Sequence, residues 1–357
     1  MNTLLFCGKV INKNLSRKIN INQVGLNTGN MLFWYALSHI LEVDPHTLPE
    51  CVWNKVDLKK YHSFITTDLI WIQQNTEYPH VRRQLEIVGD RPLIPISIGV
   101  QNHSYSTSFQ IHPNTVRLLE ELQERCILGV RGEYTATLLN KYGIRNISVI
   151  GCPSMYLPFD YKFGIHKKDG APEKVSINMR TLYSPLNAKE LDFLSYAAEN
   201  SFDFCEQTIH PFTREICSAD STYEKLNKWM NLHKMMFFDV DDWRSFMSYQ
   251  DFSIGGRFHG NVVGLWEGVP ALFVTVDSRT SELCEHFSLP TMRMQDFDKE
   301  QGIQYYYEKA DYTEFNKNYA DRLDEFITFL KKNQLPIAKN TDGWYDRRIH
   351  FTSSFNG

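Results

Sequence analysis

The 357-residue chain has room for two domains, and its 42% apolar and 22% charged residues are ordinary for a folded protein that faces water. A formal net charge of −4 gives no general attraction to nucleic acid, and no apolar run approaches the roughly 18 residues that cross a bilayer. Seven scattered cysteines without a C-x-x-C pair point to reduced thiols rather than a disulfide framework or a zinc site.

The opening MNTLLFCGK has an apolar patch too short for a signal-peptide core. The expected location is therefore the cytoplasm, with at most peripheral contact at the inner face of a membrane. Leu4–Cys7 reads as a first strand. Gly25-Leu26-Asn27-Thr28-Gly29-Asn30 then opens an apolar helix over Met31–Leu41, with Asn27, Thr28 and Asn30 as capping types. That glycine loop either lines a binding cleft or simply caps a buried helix. Thr67–Ile72 (TDLIWI) and Leu93–Ile98 (LIPISI) read as strands, the second ending in Gly99-Val100-Gln101. A helix starts at Pro113-Asn114, and a strand over Cys126–Val130 ends at Arg131. Helix Glu133–Lys141, closed by Gly143, leads to strand Ser148–Ile150 and the turn Gly151-Cys152-Pro153-Ser154. Strands alternating with helices predict an α/β half with a mainly parallel sheet.

The polar FGIHKKDGAPEK (Phe163–Lys174) is the expected linker. Strands follow at Val175–Asn178, Asp203–Gln207, Met235–Asp239, Phe252–Ile254 and Ala271–Val276. Helices are expected near Ala188–Glu199, Tyr223–Leu232, Asp242–Tyr249, Gly260–Glu267, Ser281–Phe287 and Tyr319–Lys331. The last of these presents Leu323, Phe326, Ile327 and Leu330 on one face. The expected boundaries are 1–170 for one Rossmann-like domain, 171–335 for a second, and an unassigned tail at 336–357. Two such domains bring the carboxyl edges of two sheets across one cleft, a GT-B-like arrangement.

The chemistry concentrates in Phe252–Val276, FSIGGRFHGNVVGLWEGVPALFVTV. Gly255-Gly256 and Arg257-Phe258-His259-Gly260 join a strand to a helix. A helix start offers free N–H groups, the glycines permit close approach, Arg257 adds a forked cation, and His259 exchanges a proton near neutrality. Such a turn suits an anion, although glycine turns that merely connect elements are common. Arg180 lies just past a strand, as does His210; Arg131 either reaches the cleft or pairs with Glu133. Asp277 and Arg279 either meet a ligand or pair with each other. Asp241 or Asp242 reads as a helix N-cap, and the acidic run at Asp239–Asp242 is not read as a metal site.

Four stretches resemble the polysaccharide pyruvyltransferase family: QVGLNTGNMLFWYAL, SIGVQ, GVRGEYTATLLNKYGIRNISVIGCPSMYL and FSIGGRFHGNVVGLWEGVPALFV. The last, with Arg-x-His-Gly followed by Gly-Val-Pro, is the most specific, and VSINMR fits the strand and arginine that open the second domain. Three places depart from the family pattern: Gly132 after the arginine, Gln73-Gln74-Asn75 after a strand, and Asp277–Leu283 after the last strand. The resemblance implies a transferase that moves a pyruvyl group from phosphoenolpyruvate to a sugar diol of a surface glycan or its precursor, releasing phosphate. It makes Arg180, Arg257, His259, Gly255, Gly256, Gly260 and His210 the donor side, with His259 and Arg257 catalytic. Asn27, Gly29, Asn30, Gln101, Arg131, Asp277 and Arg279 become acceptor or cleft residues. Phosphoenolpyruvate is a co-substrate, no metal or other cofactor is implied, and the acceptor is a sugar or a lipid-linked oligosaccharide. A homo-oligomer stays open. A glycosyltransferase with a nucleotide-sugar donor is the alternative function, and a non-catalytic sugar-binding protein is a third.

Overall fold

The computed structural model describes residues 2–8, 16–180, 185–209, 212–217 and 220–338. His210 and the tail beyond Asn340 lie outside them. Twelve strands among these residues are β1 (Asn2–Phe6), β2 (Val43–His46), β3 (Tyr61–Thr66), β4 (Leu93–Pro95), β5 (Leu128–Val130), β6 (Ile147–Val149), β7 (Val175–Asn178), β8 (Asp203–Cys205), β9 (Lys234–Met235), β10 (Phe252–Gly255), β11 (Ala271–Thr275) and β12 (Thr291–Arg293).

They form two separate parallel systems. In the N-terminal half the order is β2-β1-β3-β4, and a parallel bridge between Ile98 and Val130 carries the layer on to β5-β6. In the C-terminal half the order is β12-β11-β10-β7-β8-β9. Counted within that half, this is the Rossmann order, with its topological switch between β7 and β10. The pairs within both systems are parallel, so all the carboxyl ends of each sheet lie along one edge. The protein is thus α/β, with two Rossmann-like sheets facing a cleft in the GT-B manner.

Local sequence explains the elements that border the cleft. Helix Asn30–Ile40, reached from β1 through the short helix Arg17–Gln23, buries Met31, Leu32, Phe33, Ala36, Leu37 and Ile40. Helix Phe258–Trp266 follows β10 and is buried along nearly all its length, which suits its apolar run NVVGLW. Asp277 caps helix Ser278–Phe287 through a hydrogen bond from the Thr280 N–H at 2.9 Å. Helix Val240–Met247 is capped by Asp239, whose carboxylate accepts from the Asp241 and Asp242 N–H groups. The cap is therefore two residues before Asp241 and three before Asp242, the capping residues the sequence suggested, because the helix begins at Val240.

The final helix, Thr313–Lys332, buries Leu323, Phe326, Phe329 and Leu330, while Ile327 is only half-buried. It returns to the N-terminal sheet. Phe326 stacks on Tyr156 with ring centroids 4.3 Å apart, and Asn333 exchanges hydrogen bonds with the backbone of Ile127. The chain then runs beside Leu41, against which Ile337 makes an antiparallel bridge.

The sequence reading fails most clearly at Thr67–Ile72. The strand is β3, Tyr61–Thr66, and Asp68–Trp71 form a turn. Leu69 and Ile72 are buried from that irregular segment, so their apolar character reports burial without an extended backbone.

Candidate active site

The loop before helix Asn30–Ile40 meets the switch point of the C-terminal sheet. Asn178 at the end of β7 and the Gly255–Arg257 turn after β10 form the C-terminal side. The Asn178 carbonyl accepts from the Gly256 N–H at 2.8 Å, and its side-chain oxygen accepts from the Arg257 N–H, also at 2.8 Å. Its amide donates to Asn261 at 2.7 Å; Asn261 in turn accepts from the Ser253 hydroxyl and donates to the Gly255 carbonyl. This fully buried Asn–Asn–Ser network fixes the turn that presents Arg257 and His259.

The Asn27–Asn30 loop packs on that turn from the other sheet. The Thr28 N–H donates to the Gln207 carbonyl at 2.9 Å. A Cβ on Gly29 would stand 2.5 Å from Gln207 Oε1 and 3.1 Å from His259 Cβ, and one on Gly260 would stand 2.8 Å from Gln207 Nε2. Gly29 leaves room for the Gln207 amide and His259 where the two domains touch, whereas Gly260 leaves room within its own domain for Asn178, whose Cγ a Cβ there would meet at 2.8 Å, and for the same amide. Thr28 Oγ1 and Gln207 Nε2 are buried there and find no hydrogen-bond partner among the described residues. Asn27 and Asn30 brace the loop itself: Asn27 accepts from the Gly29 N–H at 2.9 Å, and Asn30 donates to the Val24 carbonyl at 3.0 Å.

His259 is half-buried, with Phe33 and Phe258 beside its ring and Cys152 Sγ 3.6 Å from its Nε2. Burial, reinforced by the positive charges of Arg131 and Arg279, pushes its pKa down to about 3. In the ligand-free protein the imidazole is therefore neutral at physiological pH. Arg131 is buried, and its Nε donates to Ser97 Oγ at 3.2 Å. Burial and the charge of Arg279 both lower its own pKa, while Cys152, Glu282 and Asp277 act the other way. No ion pair between Arg131 and Glu133 occurs among the described residues, and Arg131 lies on the cleft side. Arg279 forms an ion pair with Asp277 at 2.8 Å and still acts on His259, so the two readings of Asp277 and Arg279 are compatible. Burial pushes the Asp277 carboxyl up, but Arg279 and the Thr280 hydrogen bonds outweigh it and leave the pKa lowered.

Arg257 looks elsewhere. Its guanidinium donates to Thr208 Oγ1 at 3.2 Å, and Thr208 is held by the buried Glu206 carboxylate through hydrogen bonds of 2.9 and 3.1 Å. Residues two apart thus face two different places, His259 towards the Arg131 and Arg279 guanidiniums and Arg257 towards Thr208 and the Glu206 carboxylate that holds it. Arg180 is exposed just beyond β7. Gln101 accepts from Gln73 at 3.3 Å in the mid-domain loop, and its side chain is not brought to His259 by any such bond.

Several seam residues were not singled out from sequence: Asn178, Gln207, Thr208, Asn261, Cys152 and Glu282. Glu282 is buried, and its carboxylate accepts from the Thr135 N–H at 3.0 Å and the Thr135 hydroxyl at 2.8 Å. It therefore caps helix Glu133–Lys141 from the other domain, where Gly132 supplies no side-chain cap. A Cβ on Gly132 would stand 2.7 Å from the Glu282 Cβ, which accounts for glycine after Arg131. Burial pushes the Glu282 pKa up to about 7 against the pull of these hydrogen bonds and Arg131. Nearby, the Ser278 hydroxyl donates to the Val100 carbonyl at 2.7 Å and accepts from the Asn102 N–H at 3.0 Å.

The sequence profile described as "Polysaccharide pyruvyl transferase" matches residues 27–278, which is more than half of the chain. The chain belongs to that family. Among curated proteins none matches it significantly. Of solved structures, S. aureus MnaA bound to UDP is similar at a TM-score of 0.45 and 10% identity, covering 93% of this chain and 99% of that one. Rickettsia bellii UDP-N-acetylglucosamine 2-epimerase gives 0.37 and 9%, covering 93% and 98%. Acinetobacter baumannii MurG gives 0.38 and 9%, covering 93% and 99%. At these values the neighbours add no argument to the fold read from the strand order. No described helix is long and apolar enough to cross a membrane.

Proposed function

We propose that the protein transfers a pyruvyl group from phosphoenolpyruvate to two hydroxyls of a sugar, forming a ketal and releasing phosphate. One observation carries this reading: His259 sits, as a neutral imidazole, in the field of guanidiniums from both domains, Arg131 and Arg279. A place that is cationic and holds a depressed imidazole suits a ligand whose arrival supplies negative charge and raises the imidazole's pKa. Phosphoenolpyruvate has two anionic ends, a carboxylate and a phosphate. The guanidiniums of Arg131 and Arg279 on one side and of Arg257 on the other suit such a pair, with Arg180 and His210 assigned to the donor and the Gly29 loop to the acceptor.

The reaction balances without an oxidant or a metal. The donor's methylene carbon takes a proton from His259, and the resulting oxocarbenium-like carbon is attacked by one sugar hydroxyl. Phosphate departs and the second hydroxyl closes the ring. Of the two hydroxyl protons, one replaces that lost by His259 and the other leaves on phosphate. Arg257 holds negative charge in ground and transition states, and His259 acts in the proton step. The acceptor is a glycan or its carrier-linked precursor, met by a cytoplasmic enzyme at the inner face of a membrane.

A donor screen by thermal melting tests this. Phosphoenolpyruvate is expected to raise the melting temperature in wild type and to lose that effect in Arg257→Ala. A rise with a nucleotide sugar and none with phosphoenolpyruvate would replace this reading with a glycosyltransferase.

A further inference from the structure

Cys152 is fully buried in the turn after β6, and its sulfur lies 3.6 Å from His259 Nε2 and 3.1 Å from Ser154 Oγ. The turn cannot drift from the imidazole. Pro153 starts a short 3-10 turn over Pro153–Tyr156, and the Trp266 indole N–H, on the same helix as His259, donates to the Ser154 carbonyl at 2.8 Å. The sulfur and the ring are therefore held in register by a buried tie between the two domains. Thr28 and Gln207 close the neighbouring seam.

We propose that Cys152 is a positioning residue that occupies His259 Nε2, so that Nδ1 carries the proton and is the nitrogen left to meet the donor. The Ser154 hydroxyl donates to the sulfur, and the thiol proton is directed to Nε2. A thiol is both a weak donor and a weak acceptor. The same contact therefore serves the neutral ring, as S–H to Nε2, and the imidazolium formed when an anion binds, as Nε2–H to sulfur. In both states the Nδ1 proton stays available. Arg131 and Arg279 are the charged groups acting on the ring, and neither can accept a proton from Nε2. This assignment rests on the pyruvyl-transfer reading for its kinetic consequence, but not for its structural one.

The test is nitrogen NMR of histidine-labelled protein without ligand, with the His259 signals identified by their loss in His259→Asn. Wild type is expected to have Nδ1 protonated and Nε2 bare. Cys152→Ala should move the signals to a tautomer mixture or to Nε2–H, and Cys152→Ser should hold the wild-type tautomer. With phosphoenolpyruvate and an acceptor, Cys152→Ala should lower kcat about 10-fold, a fraction of a general acid's roughly 10²–10⁴, at nearly constant donor KM. Cys152→Ser should recover most of that loss. An Nε2–H tautomer in wild type overturns the proposal, as does an unchanged tautomer in Cys152→Ala. Should Cys152→Ala not fold, the wild-type and Cys152→Ser tautomers still decide. Failure of every donor assay alongside the expected tautomers removes the pyruvyl reading and leaves the Cys152–His259 assignment standing.

Discussion

Donor binding should load a proton onto His259. In the free protein burial and two guanidiniums hold its pKa down at about 3. An anionic donor oxygen about 4 Å from the ring, at an effective dielectric near 20, favours the imidazolium by roughly 4 kcal/mol. At about 1.4 kcal/mol per pH unit, that raises the pKa by roughly 3 units, to near 6. The bound state then has the higher pKa, so binding takes up a proton between the two values. The added affinity grows as pH falls from about 6 towards 3 and is absent well above 6. Calorimetry of phosphoenolpyruvate binding at pH 6, in two buffers of different ionisation enthalpy, reads the uptake directly. The donor's phosphate also titrates there, so His259→Asn supplies the subtraction. Wild type should take up about half a proton more than the variant at pH 6. The variant should bind the donor nearly as well at pH 8 and turn over roughly 10²–10⁴ more slowly. Equal uptake by the two proteins, or near-normal turnover in the variant, refutes the proton-donor role.

Other consequences follow from the seam. The Glu282 carboxyl has a raised pKa, about 7 against 4.5, so its contribution to stability is complete below 4.5 and is lost as pH rises through 7. Denaturant titrations should find the wild-type unfolding free energy falling by about 3 kcal/mol more than that of Glu282→Gln between pH 4.5 and 8, and parallel curves would contradict the burial argument. Gly132→Ala drives a methyl against the Glu282 Cβ and should cost about 1–3 kcal/mol, with Glu282→Gly, which removes that Cβ, relieving much of it in the same chain; an additive double variant would count against the contact. Asn261→Ala leaves Asn178, Ser253 and the Gly255 carbonyl short of partners. It should cost about 1–3 kcal/mol and loosen donor binding, since the same network holds the Arg257 turn.

The sequence exposed what local pattern controls. Helix Ala188–Glu199 was legible because its cap at Asn187 and its apolar face agree, and Glu133–Lys141 because its apolar face runs up to the stop at Gly143, although its cap comes from Glu282 far along the chain. The β10 turn was legible because glycines between a strand and an apolar helix leave few other readings. Edge strands β2 and β12 were not: VDPH contains a proline, and TMR is too short to alternate. Helix Pro79–Val88 was missed although Val81, Leu85 and Val88 share a helical face behind a proline at its start. At the strand–helix turn the sequence singled out Arg257 and His259, but not that they face different places. Neighbours in sequence diverge on a helix start, while the partners of His259 come from positions about 107 and 128 residues earlier in the chain, Cys152 and Arg131. Gly132 looked like a departure from a family pattern; opposite Glu282 it is the residue that leaves room for the domains to meet.

The most direct test of pyruvyl transfer is the product. The purified protein is incubated with phosphoenolpyruvate and a panel of sugar diols, including carrier-linked ones. Released phosphate and the mass of the sugar are followed together, in wild type and in Arg257→Ala. One phosphate should be released for each sugar that gains a pyruvyl ketal, and both signals should be lost in the variant. Release of a nucleoside diphosphate from a nucleotide sugar, with phosphoenolpyruvate left intact beside every acceptor, would contradict pyruvyl transfer.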